Sequence, residues 1–185
     1  MRIAVSGTHC TGKTTLIEAF LAAHPDFDYE PEPYVALVED YGEDFSSEPS
    51  IEDYLRQLEF HVERVGHYSV SDKVIFERSP LDFLAYILAL KDLKREDLDQ
   101  ALLAATDNQV TSAMRNLDLI VFLPLYDARD LDLPEDEDPG LRITVNDRLV
   151  EMFERFDVAV PELLGTTEDR LRQLEEAMVA PGKIR

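Results

Sequence analysis

Residues 7–15 read Gly7-Thr8-His9-Cys10-Thr11-Gly12-Lys13-Thr14-Thr15, which follows the phosphate-binding pattern Gly-x-x-x-x-Gly-Lys-Ser/Thr. The apolar run at residues 3–5 stands before this loop and predicts a buried strand, and the amphipathic segment at residues 16–21 predicts a helix after it. A strand, a glycine-containing loop and a helix in this order form a site where backbone amides bind phosphate groups. The sequence therefore predicts a P-loop fold that binds a nucleoside triphosphate.

The residue types of the loop explain how such a site works. Gly7 and Gly12 let the backbone curl, so that the loop amides point at the phosphate oxygens. Lys13 supplies a positive point charge, and Thr14 offers a hydroxyl group to Mg²⁺. We expect all residues from Gly7 to Thr15 to bind ATP, with Lys13 also catalytic and Thr14 also a Mg²⁺ ligand.

Length and composition narrow the classes of protein that remain. The 185 residues suit a single α/β domain with a full core over residues 1–185. The net charge of −21 repels nucleic acid and anionic membrane surfaces, so the expected partner is a small-molecule substrate. One cysteine, an apolar strand near the first residue and the lack of a long apolar run predict a cytoplasmic protein without a signal peptide. Whether the protein forms a homodimer stays an open question.

Apolar runs alternate with helical patterns along the chain, which predicts a parallel sheet covered by helices on both faces. Strands are expected at residues 2–6, 27–30, 73–77, 118–123 and 157–161. The longest helix should begin at Ser50, because Ser50 and Asp53 have the spacing of a capping box. Further helices are expected at about 81–91, 95–116, 144–156 and 167–179. The fold class is therefore α/β, with three layers, α/β/α, around a five-stranded parallel sheet.

The third apolar run ends in Glu77-Arg78-Ser79. A carboxylate at the end of such a strand can hold Mg²⁺ through water, so Glu77 is the candidate metal residue beside Thr14. The segment that follows also fits a helix start, with Ser79 as N-cap and Asp82 at N3. Asp82 thus has two open interpretations, a helix cap or a substrate ligand.

The second apolar run ends in Glu30-Pro31-Glu32-Pro33. Open α/β sheets bind their ligands at the carboxyl ends of the strands, and each proline limits where the neighbouring carboxylate can point. One of these acids could take the proton from an attacking hydroxyl group. A rigid surface turn is the alternative interpretation.

These elements resemble a family of small P-loop kinases. Glu77-Arg78-Ser79, followed by Asp82, Ala85 and Tyr86, resembles the Asp/Glu-Arg element of thymidylate kinases and deoxynucleoside kinases. Glu32-Pro33 is similar to the Glu-Pro element that ends the second strand of deoxynucleoside kinases. Over nearly its whole length the chain resembles the stand-alone P-loop kinases grouped with ribosylnicotinamide kinases.

The resemblance implies a sheet order of 2-3-1-4-5 and two further parts of the site. Gly165-Thr166-Thr167, before a helix with Arg170, is similar to the adenine-contacting turn of nucleoside monophosphate kinase-like folds, so Gly165 and Thr166 would bind ATP. A mobile lid at residues 125–148 would carry the catalytic arginines Arg142 and Arg148, which close over the transferred phosphoryl group.

The acceptor is inferred from charge. Between residues 24 and 80 acidic residues outnumber basic ones, which favours a neutral hydroxyl group over a phosphate that needs cations. Glu32 would be the catalytic base and Arg78 would orient the acceptor, with Asp82 as a further substrate ligand. The sequence thus predicts an ATP-dependent kinase that moves the γ-phosphoryl group of Mg·ATP to a nucleoside-like hydroxyl.

Two alternatives stay open. One is a nucleoside monophosphate kinase, and the other is a regulatory nucleotide-binding switch or ATPase without a small-molecule acceptor. A second pocket beside the phosphate loop, lined by Glu32, Arg78 and Asp82, would favour a kinase over a switch.

Overall fold

The computed structural model describes residues 1–45, 49–94, 98–127 and 138–179. Within these ranges the sheet has four parallel strands in the order β2-β3-β1-β4, which confirms the α/β class and the first four positions of the predicted order. The strands are β1 (Arg2–Ser6), β2 (Asp28–Glu30), β3 (Val74–Glu77) and β4 (Leu119–Phe122). All four end at the same edge of the sheet, where the loop after β1 also lies.

Helices cover both faces of the sheet, so the three-layer arrangement is confirmed. They are α1 (Lys13–Ala23), α2 (Pro33–Glu39), α3 (Ile51–His67), α4 (Pro80–Lys94), α5 (Gln100–Met114), α6 (Pro139–Arg155) and α7 (Thr167–Val179). Alternate strand residues enter opposite cores, because successive side chains of a strand point to opposite faces. Ile3 and Val5 pack with α1 and α7, whereas Ala4 packs with α3 to α6.

The start of α3 follows the predicted cap. Ser50 and Asp53 form the expected capping box at the start of α3. Residues 81–90 of α4 are all buried, which explains why this helix is apolar on every side. The helix α6 begins at Pro139, five residues before the expected start, and residues 128–137 of the predicted lid lie outside the described ranges. In the described ranges, helices that are long and apolar enough to cross a bilayer are absent.

The predicted fifth strand at residues 157–161 is wrong. Asp157 has a φ of +51°, and the amides of Asp157 and Val158 bond to the carbonyls of Glu154 and Phe153, which is the Schellman pattern that ends a helix. Pro161 lacks the N–H that a strand would use. A single bridge joins Glu162 to Phe122 of β4, and a cavity of ≈ 720 Å³ lies beside it. The start of the apolar run therefore ends α6 instead of forming a strand. Hydrophobicity alone does not distinguish these two structures.

Candidate active site

The phosphate loop connects β1 to α1 and depends on glycine for close packing. A Cβ atom on Gly7 would lie 2.8 Å from Thr11 Oγ1 and 2.9 Å from the Leu123 carbonyl oxygen. Gly12 has a φ of +87°, in the left-handed region that favours glycine. Between them Cys10 adopts a φ of +52°. Positive φ angles of this kind help to curl a short backbone segment into a concave nest of amides.

Lys13 is buried at the start of α1, and its Nζ atom donates a hydrogen bond of 2.9 Å to the Thr8 carbonyl oxygen. Burial, together with the charge of Arg78, lowers the pKa of Lys13 to about 8. The ammonium group is thus held away from water in the loop, and among the described residues no carboxylate is bonded to it. An anionic ligand in the loop would stabilise its charged form.

Thr14 and Glu77 meet where a metal ion would sit beside the phosphates. Thr14 Oγ1 donates a hydrogen bond of 2.8 Å to Glu77 Oε1, and the Tyr29 hydroxyl donates one of 2.7 Å to Glu77 Oε2. Hydroxyl and carboxylate oxygens are ligands that Mg²⁺ prefers, so the residues present fit this ion. Sequence reasoning gave no role to Tyr29, which lies inside β2. Burial and the bond to Glu77 raise its pKa, so the phenol keeps its proton.

Glu32 and Arg78 form an ion pair at the ends of β2 and β3. Arg78 is only 1% exposed and has a φ of +81°. Its Nε atom donates to Glu32 Oε1 at 2.6 Å, and its Nη1 atom donates to the Gly7 carbonyl oxygen at 3.0 Å. Burial by itself would raise the pKa of Glu32, but the charges of Arg78 and Lys13 outweigh it and lower that pKa to about 2. Glu32 is therefore ionised at neutral pH.

The other two acids near this pair have structural roles. Glu30 is buried and accepts hydrogen bonds from Arg64 and Tyr68. Asp82 is fully buried and accepts hydrogen bonds from Ser6 Oγ at 2.7 Å, from the Ser79 amide at 2.9 Å and from the Gly7 amide at 3.0 Å. The bond from the Ser79 amide is the predicted helix cap, and the bonds from Ser6 and Gly7 tie α4 to the phosphate loop.

The two predicted lid arginines point in different directions. Arg142 is buried, and it donates hydrogen bonds to the carbonyl oxygens of His9 and Cys10 at 2.9 and 2.8 Å. Arg148 lies apart from the loop and pairs with Asp92 and Glu151. Asp92 is in the last turns of α4, about 15 Å along the helix from the end that Asp82 caps. The structure thus brings one of these arginines to the site.

The predicted adenine turn lies next to the phosphate loop. Gly165 has a φ of +89°, and Thr166 forms a capping box with Asp169 at the start of α7. In the same turn of α7, Arg170 donates a hydrogen bond of 2.8 Å to the Thr11 carbonyl oxygen. The contact through Arg170 places the turn beside the loop.

One cavity joins most of the predicted residues. It has a volume of ≈ 560 Å³, and it is lined by residues 9–15 together with Glu32, Glu77 and Arg78. This volume suits a small-molecule ligand. The phosphate loop and the residues predicted to bind the metal and the acceptor, namely Glu32, Glu77 and Arg78, thus open on one space, and Asp82 is not part of its lining. His9 faces this space as a neutral imidazole, because burial and Arg78 lower its pKa to about 3.

Comparisons with known proteins agree with this architecture. Deoxyadenosine kinase from M. mycoides with bound dATP superposes with a TM-score of 0.68 at 14% identity, over 97% of this chain and 100% of that one. Thymidylate kinase from Candida albicans gives 0.67 at 17% identity, over 96% and 90% of the two chains. NadR protein in complex with NAD and AMP-PNP superposes with a TM-score of 0.68 at 17% identity. The match covers 100% of this chain and 50% of the NadR chain.

These likenesses confirm the suspected kinase group at the level of the fold. No curated protein matches the sequence. A family profile described as AAA domain matches residues 2–170, which include the phosphate loop, all four strands and the start of α7. Because this match covers most of the chain, the protein belongs to that AAA domain family.

Proposed function

We propose that this protein is a kinase that transfers the γ-phosphoryl group of Mg·ATP to the hydroxyl group of a small, nucleoside-like acceptor. The observation that carries the proposal is that the ionised carboxylate of Glu32 lines the same cavity as the phosphate loop. A carboxylate beside the phosphate loop is suited to hold and deprotonate the hydroxyl group of an acceptor. The fold shared with a deoxyadenosine kinase supports the nucleoside class.

The charged residues around Glu32 and Arg78 favour a neutral acceptor over a phosphorylated one. Arg78 is the cation that lines this part of the cavity, and it is bound to Glu32 and lies 3.7 Å from Asp82. A phosphate group would have to compete with both carboxylates for the guanidinium group. A hydroxyl group instead finds a hydrogen-bond acceptor in Glu32.

The proposed transfer follows from these positions. The acceptor oxygen forms a bond to the γ-phosphorus as the bond from that phosphorus to the β–γ bridging oxygen breaks, ADP leaves, and the hydroxyl proton passes to Glu32. Phosphoryl transfer passes through a loose transition state in most analyses, which asks little of the base. A carboxylate whose pKa is about 2 therefore suffices.

The remaining residues would hold and neutralise the nucleotide. Lys13 and the loop amides would stabilise the charge that develops on the phosphate oxygens. Thr14 and Glu77 would hold Mg²⁺, which when bound neutralises phosphate charge. Gly165 and Thr166 would border the adenine, since their turn lies beside the loop through Arg170.

The test is a screen of acceptors with the purified protein. Nucleosides and nucleoside monophosphates are each incubated with Mg·ATP, and the phosphorylated product, ADP and free phosphate are quantified by chromatography. We expect product from a nucleoside or a related hydroxyl compound. Product from monophosphates alone would instead establish the nucleoside monophosphate kinase alternative. Free phosphate without any phosphorylated acceptor would support the ATPase alternative.

A further inference from the structure

The outer surface of the phosphate loop, the side that faces α6 and α7, is bound by two arginines. Arg142 Nε and Nη2 donate to the carbonyl oxygens of His9 and Cys10 at 2.9 and 2.8 Å. Arg170 Nη1 donates to the carbonyl oxygen of the next residue, Thr11, at 2.8 Å. Three consecutive backbone carbonyls are thus held by two arginine residues that are 4% and 8% exposed.

These bonds determine which way the loop amides point. The carbonyl and the N–H of one trans peptide point in opposite directions. A carbonyl held toward α6 or α7 therefore turns the amide of the following residue toward the opposite side. The amides of residues 10–12 are directed in this way, and residues 9–15 line the cavity on that side. The bonds also hold Cys10 at its φ of +52°, a region that non-glycine residues seldom adopt.

Both arginines occupy equivalent positions on well-anchored helices. Each is the fourth residue of its helix, counted from Pro139 in α6 and from Thr167 in α7. Asp138 caps α6 by accepting from the Gly140 amide, and Thr166 with Asp169 caps α7. Arg170 also packs directly on the loop, because a Cβ atom on Gly12 would lie 3.0 Å from its Nη1 atom.

We propose that Arg142 and Arg170 are positioning residues that orient the loop amides toward the nucleotide's phosphates. This differs from the lid role, in which Arg142 would contact the transferred phosphoryl group. The inference rests on the proposed function only in that a nucleotide binds in the loop. A positioning role acts on every phosphate ligand of the loop, including those without a γ-phosphate. A lid role acts on transfer and spares ADP.

The experiment measures the affinities of ADP, ATP and inorganic tripolyphosphate by calorimetry. The variants are Arg142→Ala, Arg142→Lys and Arg170→Ala. Arg155→Ala on α6 and Arg172→Ala on α7 are the controls, since both side chains form exposed ion pairs. We expect Arg142→Ala and Arg170→Ala to weaken all three ligands by a similar factor, about tenfold to a hundredfold, because each loses hydrogen bonds from a charged donor. The controls should bind like the wild type.

Arg142→Lys separates positioning from charge. Lysine keeps the positive charge but lacks the planar fork that reaches two carbonyls at once, so we expect ADP affinity to fall here too. Wild-type ADP affinity in this folded variant, or a loss of turnover with unchanged ADP affinity in Arg142→Ala, would overturn the inference. Thermal melting of each variant identifies any that fail to fold, and Arg170→Ala then supplies the same comparison.

The result also stays separate from the proposed kinase activity. If the wild type binds ADP but phosphorylates no acceptor, weaker ADP binding by the arginine variants still supports the positioning role. If the wild type phosphorylates an acceptor and the variants bind ADP normally, the kinase assignment stands and the positioning role fails.

Discussion

The two sides of the phosphate loop are held in different ways. Toward β2 and β3, which we call the acceptor side, side chains bind each other, as Arg78 binds Glu32, and Arg78 and Asp82 also bind the backbone of Gly7, the first residue of the loop. Toward α6 and α7, which we call the outer side, Arg142 and Arg170 bind backbone carbonyls. Side-chain pairs can exchange partners with a ligand, whereas bonds to the backbone fix the shape of the loop. The acceptor side is thus suited to chemistry and the outer side to support.

This difference between the two sides leads to an expectation that substitutions can test. Changes on the acceptor side should alter turnover or metal dependence and leave nucleotide affinity nearly intact. Changes on the outer side should alter affinity for any phosphate ligand. Lys13 stands between the two sides, inside the loop, and should show the largest effect.

Substitution of Lys13 should abolish transfer without unfolding the protein. We expect Lys13→Met to lower turnover by about a thousandfold or more, because the charge that stabilises the transferring phosphoryl group is gone. The melting temperature should stay the same or rise, since burial of the ammonium disfavours its charge in the empty fold. Steady-state kinetics and calorimetric melting measure both, with Lys73→Met, at an exposed ion pair, as the control. Normal turnover by Lys13→Met would exclude the loop from the reaction.

Glu32 tests the acceptor side alone. Glu32→Gln should lower single-turnover transfer by about a hundredfold, the low end for a lost general base, because the loose transition state asks little of the base. It should leave ADP affinity within about twofold. Glutamine keeps the shape and one hydrogen-bond acceptor for Arg78, so the loop stays in place. If transfer is intact in this variant, the hydroxyl-acceptor proposal loses its base, and a phosphorylated acceptor becomes the better interpretation.

The same variant predicts a change in acid stability. The pKa of Glu32 is about 2 in the fold, against an ordinary value of 4.5. A carboxyl group of this kind stabilises the fold above its unfolded pKa, and the contribution is lost as the pH falls from 4.5 toward 2. Glu32→Gln should therefore be less stable at neutral pH by roughly 1–3 kcal/mol, and the gap should narrow below about pH 4.5. Urea unfolding at a series of pH values checks this, and a constant gap would contradict it.

Glu77 should affect the metal more than the nucleotide. We expect Glu77→Gln to raise the Mg²⁺ concentration for half-maximal rate by about tenfold, because a neutral amide replaces the carboxylate beside Thr14. The rate at saturating Mg²⁺ should recover in large part. A lower rate that no amount of Mg²⁺ restores would place Glu77 in the transfer step instead.

Much of the candidate site could be predicted from sequence because a parallel sheet gathers the carboxyl ends of its strands. The phosphate loop, Glu32 and Glu77-Arg78 each follow a different apolar run, so sheet order alone brings them to one edge. To predict which way a helical side chain points, the rotation per residue around the helix must also be counted. Arg142 and Arg148 are six residues apart, which is about 240° of rotation around a helix, so the two cannot face the same site.

Other parts of the molecule carried no usable sequence signal. The run at residues 157–161 has the composition of a strand, yet the left-handed backbone of Asp157 ends α6 there. Asp82 matched both a cap and a ligand, and the cap is identified by its bond from the Ser79 amide, which the sequence alone does not show. Tyr29 lies within a three-residue strand, and its role depends on its neighbour in the adjacent strand. Contacts between strands depend on register, which a single sequence does not specify.

The smallest effect should come from Tyr29, which contacts the metal residue and not the ligands themselves. Its hydroxyl holds Glu77 Oε2 while Thr14 bonds to Oε1, so both carboxylate oxygens are oriented. Tyr29→Phe frees one oxygen, and we expect it to raise the Mg²⁺ needed for tight ADP binding by about threefold to tenfold.

The fold should tolerate this change, because Tyr29 is 39% exposed and only the hydroxyl is removed. Tyr34→Phe is the matched control, since Tyr34 is similarly exposed, at 46%, on α2. Calorimetric titration of ADP at several Mg²⁺ concentrations measures the effect without relying on turnover. ADP affinity without Mg²⁺ should be equal in both variants and the wild type, because the loop is untouched. A loss of metal-free affinity in Tyr29→Phe would show that the acceptor side also shapes the loop, and the division between the two sides would fail.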